Sequence, residues 1–215
     1  MKVIDLSMPI RSLRTPTYPG QPKPIKASLT TVEDDGYATN LWVIDEHIMT
    51  HVDAPAHFIK GGDSVDIIPL GKFIGWGVVA DLTNLPPKHV VNAEELRTRV
   101  KCPYSSSVKP TVLLLRTGYD RRAGTEEWFN HPVLGSDACR YVIEAGFKVL
   151  GTDGPSPDQE PYLAHRILLS NGIAIFENLT NLDLLQGKKF LFVGAPLKLV
   201  GGTASPVRAL AIIMP

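Results

Sequence analysis

Cysteine is scarce in this chain, and the scarcity limits the kinds of site that it can build. Cys102 and Cys139 are the only two among 215 residues, they are far apart in sequence, and neither belongs to a CxxC pair. Structural zinc modules favour cysteine-rich sets of four ligands, so a module of that kind is disfavoured. We predict two free thiols, buried or partly buried, with no redox or ligand role.

Charge of one sign and long apolar runs are missing as well. Lys and Arg together number 22, as do Asp and Glu, so the formal net charge is zero with histidine neutral. This balance, without any run of Lys and Arg, argues against a nucleic-acid partner. No apolar stretch approaches a membrane span, which argues against a membrane partner, and the chain begins with a strand-like pattern rather than a signal peptide. We therefore expect a cytoplasmic protein.

The order of predicted elements indicates the fold class. Residues 7–24 contain five prolines and predict an irregular arm, which can place the aromatic ring of Tyr18 over a pocket. Strand-like segments dominate the first half of the chain, whereas strands alternate with helices in the second half. We predict one domain, 1–215, with an α/β fold in which helices flank a mixed sheet.

Individual elements can be placed from local patterns. Asn92 followed by Glu95 is typical of a capping box and predicts the start of a helix. Gly146 and Gly172 are expected to follow the ends of two further helices. The predicted helices are 136–145 and 162–169, and the predicted strands are 25–32, 38–46, 78–82, 111–116, 148–152, 173–176, 190–193 and 207–213.

The most informative segment holds three of the six histidines and an aspartate: His47, His51, Asp53 and His57. Neutral imidazole and carboxylate suit zinc, manganese or iron, and histidine also transfers protons near neutral pH. Metal ligands sit about 2.0–2.2 Å from the ion, whereas a straight strand would spread this segment over about 33 Å. The chain must therefore bend sharply after Glu46, and Pro55 disfavours a continuous helix.

The segment 47–57 resembles the HxGTHxDxPxH signature of the cyclase family of metal-dependent hydrolases, which includes bacterial kynurenine formamidase and isatin hydrolase. The likeness covers nearly the whole chain. Weaker family-like segments follow in the right order at 5–10, 16–20, 151–158, 177–183 and 205–208. The resemblance implies an α/β domain of the swivelling β/β/α kind.

The same resemblance implies a binuclear metal site. His47, His51 and Asp53 match the ligands of the first ion. Asp53 would bridge to a second ion, which His165 and Glu177 would hold. The expected cofactors are two divalent ions, with zinc as the first candidate and manganese as the alternative.

A function also follows from the resemblance. His57 matches the general acid/base, and Tyr18 stands where the formamidase has a substrate-stacking tryptophan. The implied reaction is hydrolysis of a small-molecule amide, N-formyl-L-kynurenine, by a homodimer or homotetramer. Met49 replaces the glycine of the signature, which leaves open another amide, a lactam or a lactone. A metal-binding protein without turnover is a further alternative.

Residue chemistry alone leaves several side chains undecided. His165 is compatible with a helix histidine bonded to the backbone, and Glu177 with a solvated strand end. His89 and His131 lie in loop-like contexts, and we predict that both are at the surface. Asp153 follows a predicted strand, where a carboxylate most often makes an Asx-type hydrogen bond within its own turn.

Overall fold

A computed structural model of the chain describes residues 1–214, in which nine strands form one large curled sheet. The strands are β1 (Lys2–Asp5), β2 (Ile25–Thr30), β3 (Thr39–Val43), β4 (His51–Asp53), β5 (Ile74–Asp81), β6 (Val90–Val91), β7 (Val112–Arg116), β8 (Val133–Leu134), β9 (Val149–Thr152), β10 (Ala174–Glu177), β11 (Phe190–Val193), β12 (Ala204–Pro206) and β13 (Leu210–Ile213). The α-helices are α1 (Val32–Asp35), α2 (Ala93–Arg99), α3 (Ser136–Glu144) and α4 (Leu163–Ser170).

The large sheet has the order β1-β13-β11-β5-β7-β9-β10-β4-β12. Its centre, β5-β7-β9-β10, is parallel, and the pairs on either side of this centre are antiparallel. The central strand β7 has the sequence Val-Leu-Leu-Leu-Arg, and its first four residues are buried, as expected for a parallel strand that is covered on both faces. The predicted α/β class with a mixed sheet is confirmed.

Alternate residues of the central strands enter two separate cores. Leu113 and Leu150 point to the face on which α2, α3 and α4 pack. Leu114 and Phe176 point to the opposite face and share a core with Phe190 of β11. The helices therefore cover one face, while the curl of the sheet covers the other. Within the described residues, no helix combines the length and the apolar character needed to cross a membrane.

Most predicted elements are confirmed, with small shifts at their ends. Asn92 caps α2, and both hydrogen bonds of the capping box with Glu95 are present, at 2.9 and 3.1 Å. The strand predicted for 38–46 ends earlier, at Val43, so a loop rather than a strand leads into the histidine segment. The strand predicted for 207–213 begins only at Leu210.

Two surface predictions are wrong. His131 is 1% exposed, because it follows the 3₁₀ turn Glu126–Asn130, which inserts Trp128 into a small core. Loops are usually at the surface, and nothing local in the sequence shows that this one packs inward. Cys102, which we expected to be at least partly buried, is exposed, whereas Cys139 is buried and free as predicted.

Candidate active site

Strand β4 lies between β10 and β12 and carries two of the predicted ligands. His51 and Asp53 are two residues apart on this strand, so their side chains leave the same face. The antiparallel register places His51 directly opposite Glu177, the last residue of β10. The distance from His51 Nε2 to Glu177 Oε2 is 3.5 Å, and the distance to Asp53 Oδ1 is 3.2 Å.

The predicted bend after Glu46 is present and brings His47 back to the strand. The turn includes Met49 at φ +46°, in the left-handed region that glycine would adopt without strain. His47 Nδ1 then lies 2.9 Å from Asp53 Oδ1. A 3₁₀ helix after β4 returns His57, whose ring centre is 4.1 Å from that of His47.

His165 reaches the same cluster from α4, where it is the third residue. Its Nε2 atom lies 3.2 Å from Glu177 Oε1 and 3.6 Å from Asp53 Oδ2. The structure thus brings together all five predicted ligands, although they come from two strands, one helix and one loop. Two atoms that share one ion at about 2.1 Å lie roughly 3.0–3.5 Å apart, so these separations fit a common cation.

The Asp53 carboxylate gives a second reason to place a cation here. It is 1% exposed, and within residues 1–214 neither oxygen has a partner in hydrogen-bond geometry, although three imidazoles surround it. A buried carboxylate without a well-aligned donor needs positive charge beside it, which a bound cation can supply. Ligand atoms lie within 4.8 Å of one another in two groups, one of His47, Asp53 and His57 and one of His51, Asp53 and Glu177. These residues fit a divalent metal.

Two of the imidazoles are oriented by bonds on their far side. His51 Nδ1 donates to the backbone carbonyl of Met49 at 2.7 Å, because a carbonyl oxygen can only accept. His165 Nδ1 lies 2.6 Å from Asp158 Oδ1. In both rings, Nε2 is left to face Asp53 and Glu177. A histidine that binds a metal is commonly held in this way by a partner at its other nitrogen.

Burial and neighbouring charge set the protonation of the cluster. Burial lowers the pKa of His57 to about 4, so this ring is neutral near pH 7. Burial also disfavours charge on His51, but the carboxylates of Asp53 and Glu177 outweigh it and raise the pKa to about 9. Burial and the nearby Asp53 charge raise the pKa of Glu177. A bound cation would relieve the repulsion between these two neighbouring carboxylates.

A pocket of about 290 Å³ opens onto this cluster. Tyr18 lines it, as expected from its place on the Pro-rich arm. The sequence did not predict three further aromatic residues of the lining: Phe58, Trp128 and Tyr162. The hydroxyls of Tyr18 and Tyr162 are 3.3 Å apart. Phe58 directly follows His57 and could have been inferred from the motif. Trp128 and Tyr162 carry no such signal, because they reach the pocket from distant loops.

Asp153 lies outside the cluster. Its carboxylate accepts hydrogen bonds from the backbone of Thr117 and Gly118, in the loop after β7. The sequence left the role of Asp153 open, and the structure shows that its carboxylate bonds to another loop rather than within its own turn. Burial raises the pKa of Asp153 to about 7.

Comparison with known proteins identifies the family. The family model described as putative cyclase matches residues 4–159, well over half of the chain. The chain belongs to the cyclase family. A kynurenine formamidase from Salinibacter ruber is 31% identical over 97% of this chain and 96% of its own length. An isatin hydrolase from Roseibium aggregatum is 29% identical over 98% of this chain and 89% of its own length.

Solved structures agree with the cyclase-family assignment. An isatin hydrolase bound to the product analogue thioisatinate matches with a TM-score of 0.85 at 26% identity, and the match covers 100% of this chain and 92% of that one. A potential metal-dependent hydrolase with cyclase activity matches with a TM-score of 0.77 at 28% identity, covering 98% and 96%. The predicted class, a metal-dependent hydrolase of non-peptide C–N bonds, is confirmed. The roles of individual residues remain predictions.

Proposed function

We propose that this cyclase-family protein is an arylformamidase, which hydrolyses N-formyl-L-kynurenine to L-kynurenine and formate. The pocket carries this proposal, because aromatic rings and the imidazole–carboxylate cluster line the same cavity. An aryl substrate can pack its ring against Tyr18, Phe58 or Tyr162 while its amide carbonyl meets the cluster. The similarity to a kynurenine formamidase along almost the whole chain supports the same substrate.

The proposal includes two divalent ions. His47, His51 and Asp53 would hold the first, and Asp53 would be shared with a second held by His165 and Glu177. The separations of 2.9–3.6 Å among their nitrogen and oxygen atoms support this arrangement. The donor set suits zinc, with manganese as the alternative.

The mechanism needs an activated water and a proton carrier. Bound divalent ions supply the positive charge that lowers the pKa of a water and polarises a carbonyl oxygen. His57 is the proton carrier in this proposal. Its ring is neutral near pH 7, because burial lowers its pKa to about 4, so it can accept a proton from the attacking water. It then gives that proton to the leaving amine nitrogen as the C–N bond breaks.

An isatin-like lactam, or another small amide or lactone, is the second candidate substrate. Met49 stands where the family signature has glycine, and its side chain lines the pocket. Tyr18 is smaller than tryptophan and adds a hydroxyl, which pairs with that of Tyr162. Isatin hydrolases also match this chain closely in sequence and fold. A metal-binding protein without turnover is disfavoured, because His57 is present.

A substrate panel on protein of measured metal content tests the proposal. The panel contains N-formylkynurenine, isatin and a simple aryl lactone, and kcat/KM should be highest for N-formylkynurenine. A higher kcat/KM for isatin would show instead that a lactam is the preferred substrate. If metal-loaded protein turns over none of the three, the arylformamidase proposal is wrong.

Replacing His57 by alanine tests the proton carrier. We expect turnover to be lost while the metal content stays that of the wild type. His89→Ala is the matched control, because His89 pairs with Glu95 outside the pocket. Near-normal turnover by the His57→Ala variant would remove His57 from the mechanism.

We also propose a homo-oligomer, a dimer or tetramer, that forms through the hairpin of β2 and β3. All of β3 and nearly all of β2 are exposed. The cross-strand pairs Ile25–Val43 and Ala27–Leu41 place apolar side chains on one face of this hairpin. An isolated two-stranded hairpin has no core of its own, so this face needs a cover. A second copy offers the same apolar face, as a two-fold interface requires.

Charge placed on each face of the hairpin tests the interface. Leu41→Asp should dissociate the oligomer, as measured by light scattering after size-exclusion chromatography. Asn40→Asp, on the opposite face of the same strand, should leave the mass unchanged. A wild-type protein that is monomeric at all concentrations would refute this part of the proposal.

A cytoplasmic location completes the proposal. The two cysteines are free, as is usual in a reducing compartment. Fractionation of the native host tests the location, and recovery of the protein outside the cytoplasm would refute it.

A further inference from the structure

Asp158 is a buried carboxylate that the proposed mechanism does not use. It is 4% exposed and lies in the loop between β9 and α4. One oxygen, Oδ1, faces His165 Nδ1 at 2.6 Å. The other, Oδ2, accepts from the backbone N–H groups of Ala164 at 2.6 Å and of His165 at 3.1 Å. The two oxygens therefore face different groups.

The contact through Oδ2 supports the start of α4. The first N–H groups of a helix have no partner within the helix, and a side chain just before it usually supplies one. Here the preceding residue, Tyr162, has φ +57° and makes no capping hydrogen bond. Asp158 supplies the missing cap from outside the helix. It thereby fixes the position of the first helical turn, which contains His165.

The contact through Oδ1 fixes the ring itself. A carboxylate accepts and does not donate, so His165 Nδ1 carries a hydrogen, and Nε2 is the nitrogen that can give its lone pair to a metal ion. This Nε2 atom faces Glu177 Oε1 at 3.2 Å and Asp53 Oδ2 at 3.6 Å. Phe58 stacks on the ring with centres 4.6 Å apart and limits its rotation.

We propose that Asp158 is a positioning residue, which holds His165 in the Nδ1–H tautomer so that Nε2 can bind the second ion. This inference rests on the proposed metal centre. A carboxylate or carbonyl partner that fixes the tautomer of a ligand histidine typically changes metal affinity about 10- to 100-fold when it is lost.

Asparagine at this position separates the two contacts of Asp158. The Oδ2 site faces two backbone N–H donors, so an amide must place its oxygen there. Its NH₂ group then faces His165 Nδ1, which can only accept from it and must move its hydrogen to Nε2. Asp158→Asn thus keeps the helix cap but blocks the nitrogen that would bind the ion.

Nitrogen-15 NMR of the histidines and zinc titration test the inference. In metal-free wild type, His165 Nδ1 should carry a hydrogen whatever the state of Nε2, and in Asp158→Asn the hydrogen should be on Nε2 alone. The Kd of the second zinc equivalent should rise about 10- to 100-fold, with the first unchanged. Asp153→Asn is the control, because it changes another buried carboxylate of the same segment that does not touch a proposed ligand. It should alter neither readout.

An Asp158→Asn variant that keeps the Nδ1–H tautomer, or that switches tautomer yet binds both equivalents like the wild type, overturns the inference. Weaker metal binding without a change of tautomer also overturns it, because the effect would then come from the helix start alone. If the wild type binds no zinc, the proposed metal centre fails. The NMR measurement, made without metal, then decides separately whether Asp158 sets the tautomer.

Discussion

Met49 offers the sharpest test of the backbone around the site. Its φ of +46° costs a residue with a side chain roughly 1–2 kcal/mol, a penalty that glycine avoids. The conformation aims the Met49 carbonyl at two donors, His51 Nδ1 at 2.7 Å and Asn178 Nδ2 at 3.0 Å. The strain is therefore linked to the orientation of a proposed ligand.

The perturbation is a pair of variants, Met49→Ala and Met49→Gly. Both lose a side chain that is only 4% exposed, so both should be less stable than the wild type by about 2–5 kcal/mol. Only glycine relieves the strain. We expect Met49→Gly to be the more stable of the two by about 1 kcal/mol, because alanine at positive φ costs more than it saves in the unfolded chain.

Urea unfolding of the metal-free variants, at one fixed protein concentration, measures the difference in their free energies of unfolding. Leu168, fully buried in the middle of α4, is the matched control, since in a helix the alanine variant should be more stable than the glycine variant by about 1 kcal/mol. The reversal of this order at Met49 is the signature of the left-handed backbone. Equal stabilities at Met49, or a more stable alanine variant, would refute the reasoning.

Three further predictions concern metal and pH. Asp53→Ala should lower the metal content of both sites, and elemental analysis that finds full occupancy would refute the bridging role. Removal of metal by a chelator should lower the unfolding temperature and added zinc should restore it, because one site at 100 times its Kd stabilises the folded chain by about 2.7 kcal/mol; calorimetry that finds no shift would contradict a metal centre. Burial lowers the pKa of His131 to about 4, whereas an unfolded histidine titrates near 6.5. As pH falls from 6.5 to 4, only the unfolded chain gains this proton, so the free energy of unfolding should drop by up to about 3 kcal/mol. Denaturant titrations across this pH range should show a smaller drop for His131→Leu than for the wild type.

Several features of the site could be predicted because they depend on ligand chemistry and chain geometry. Imidazole and carboxylate types, their spacing and Pro55 together required a bend, and the bend occurs between Val43 and His51. The strand periodicity placed Glu177 at a strand end. What the periodicity could not supply was the register that puts Glu177 opposite His51. Register is set by packing and turns far from the paired residues.

The pocket wall was much less predictable. Trp128 comes from a 3₁₀ turn and Tyr162 from the residue before α4, and neither is near the histidine segment in sequence. His131 was placed at the surface because its neighbours resemble a loop, yet this loop folds inward beside Tyr119. Burial of a loop depends on which distant surface it meets, and local composition does not encode that.

The sequence by itself determined the fold class, the family-like motif and the chemical types of the ligands, because these follow from short-range pattern and side-chain identity. The tertiary structure alone decided which groups face one another across the site. It placed Asp158 behind His165, the Met49 carbonyl behind His51, and the aromatic rings around the cavity. Met49 and His51 are only 2 positions apart, whereas Tyr18 and Tyr162 on the cavity wall are 144 apart, and such long-range contacts depend on how strands, helix and loops pack as a whole.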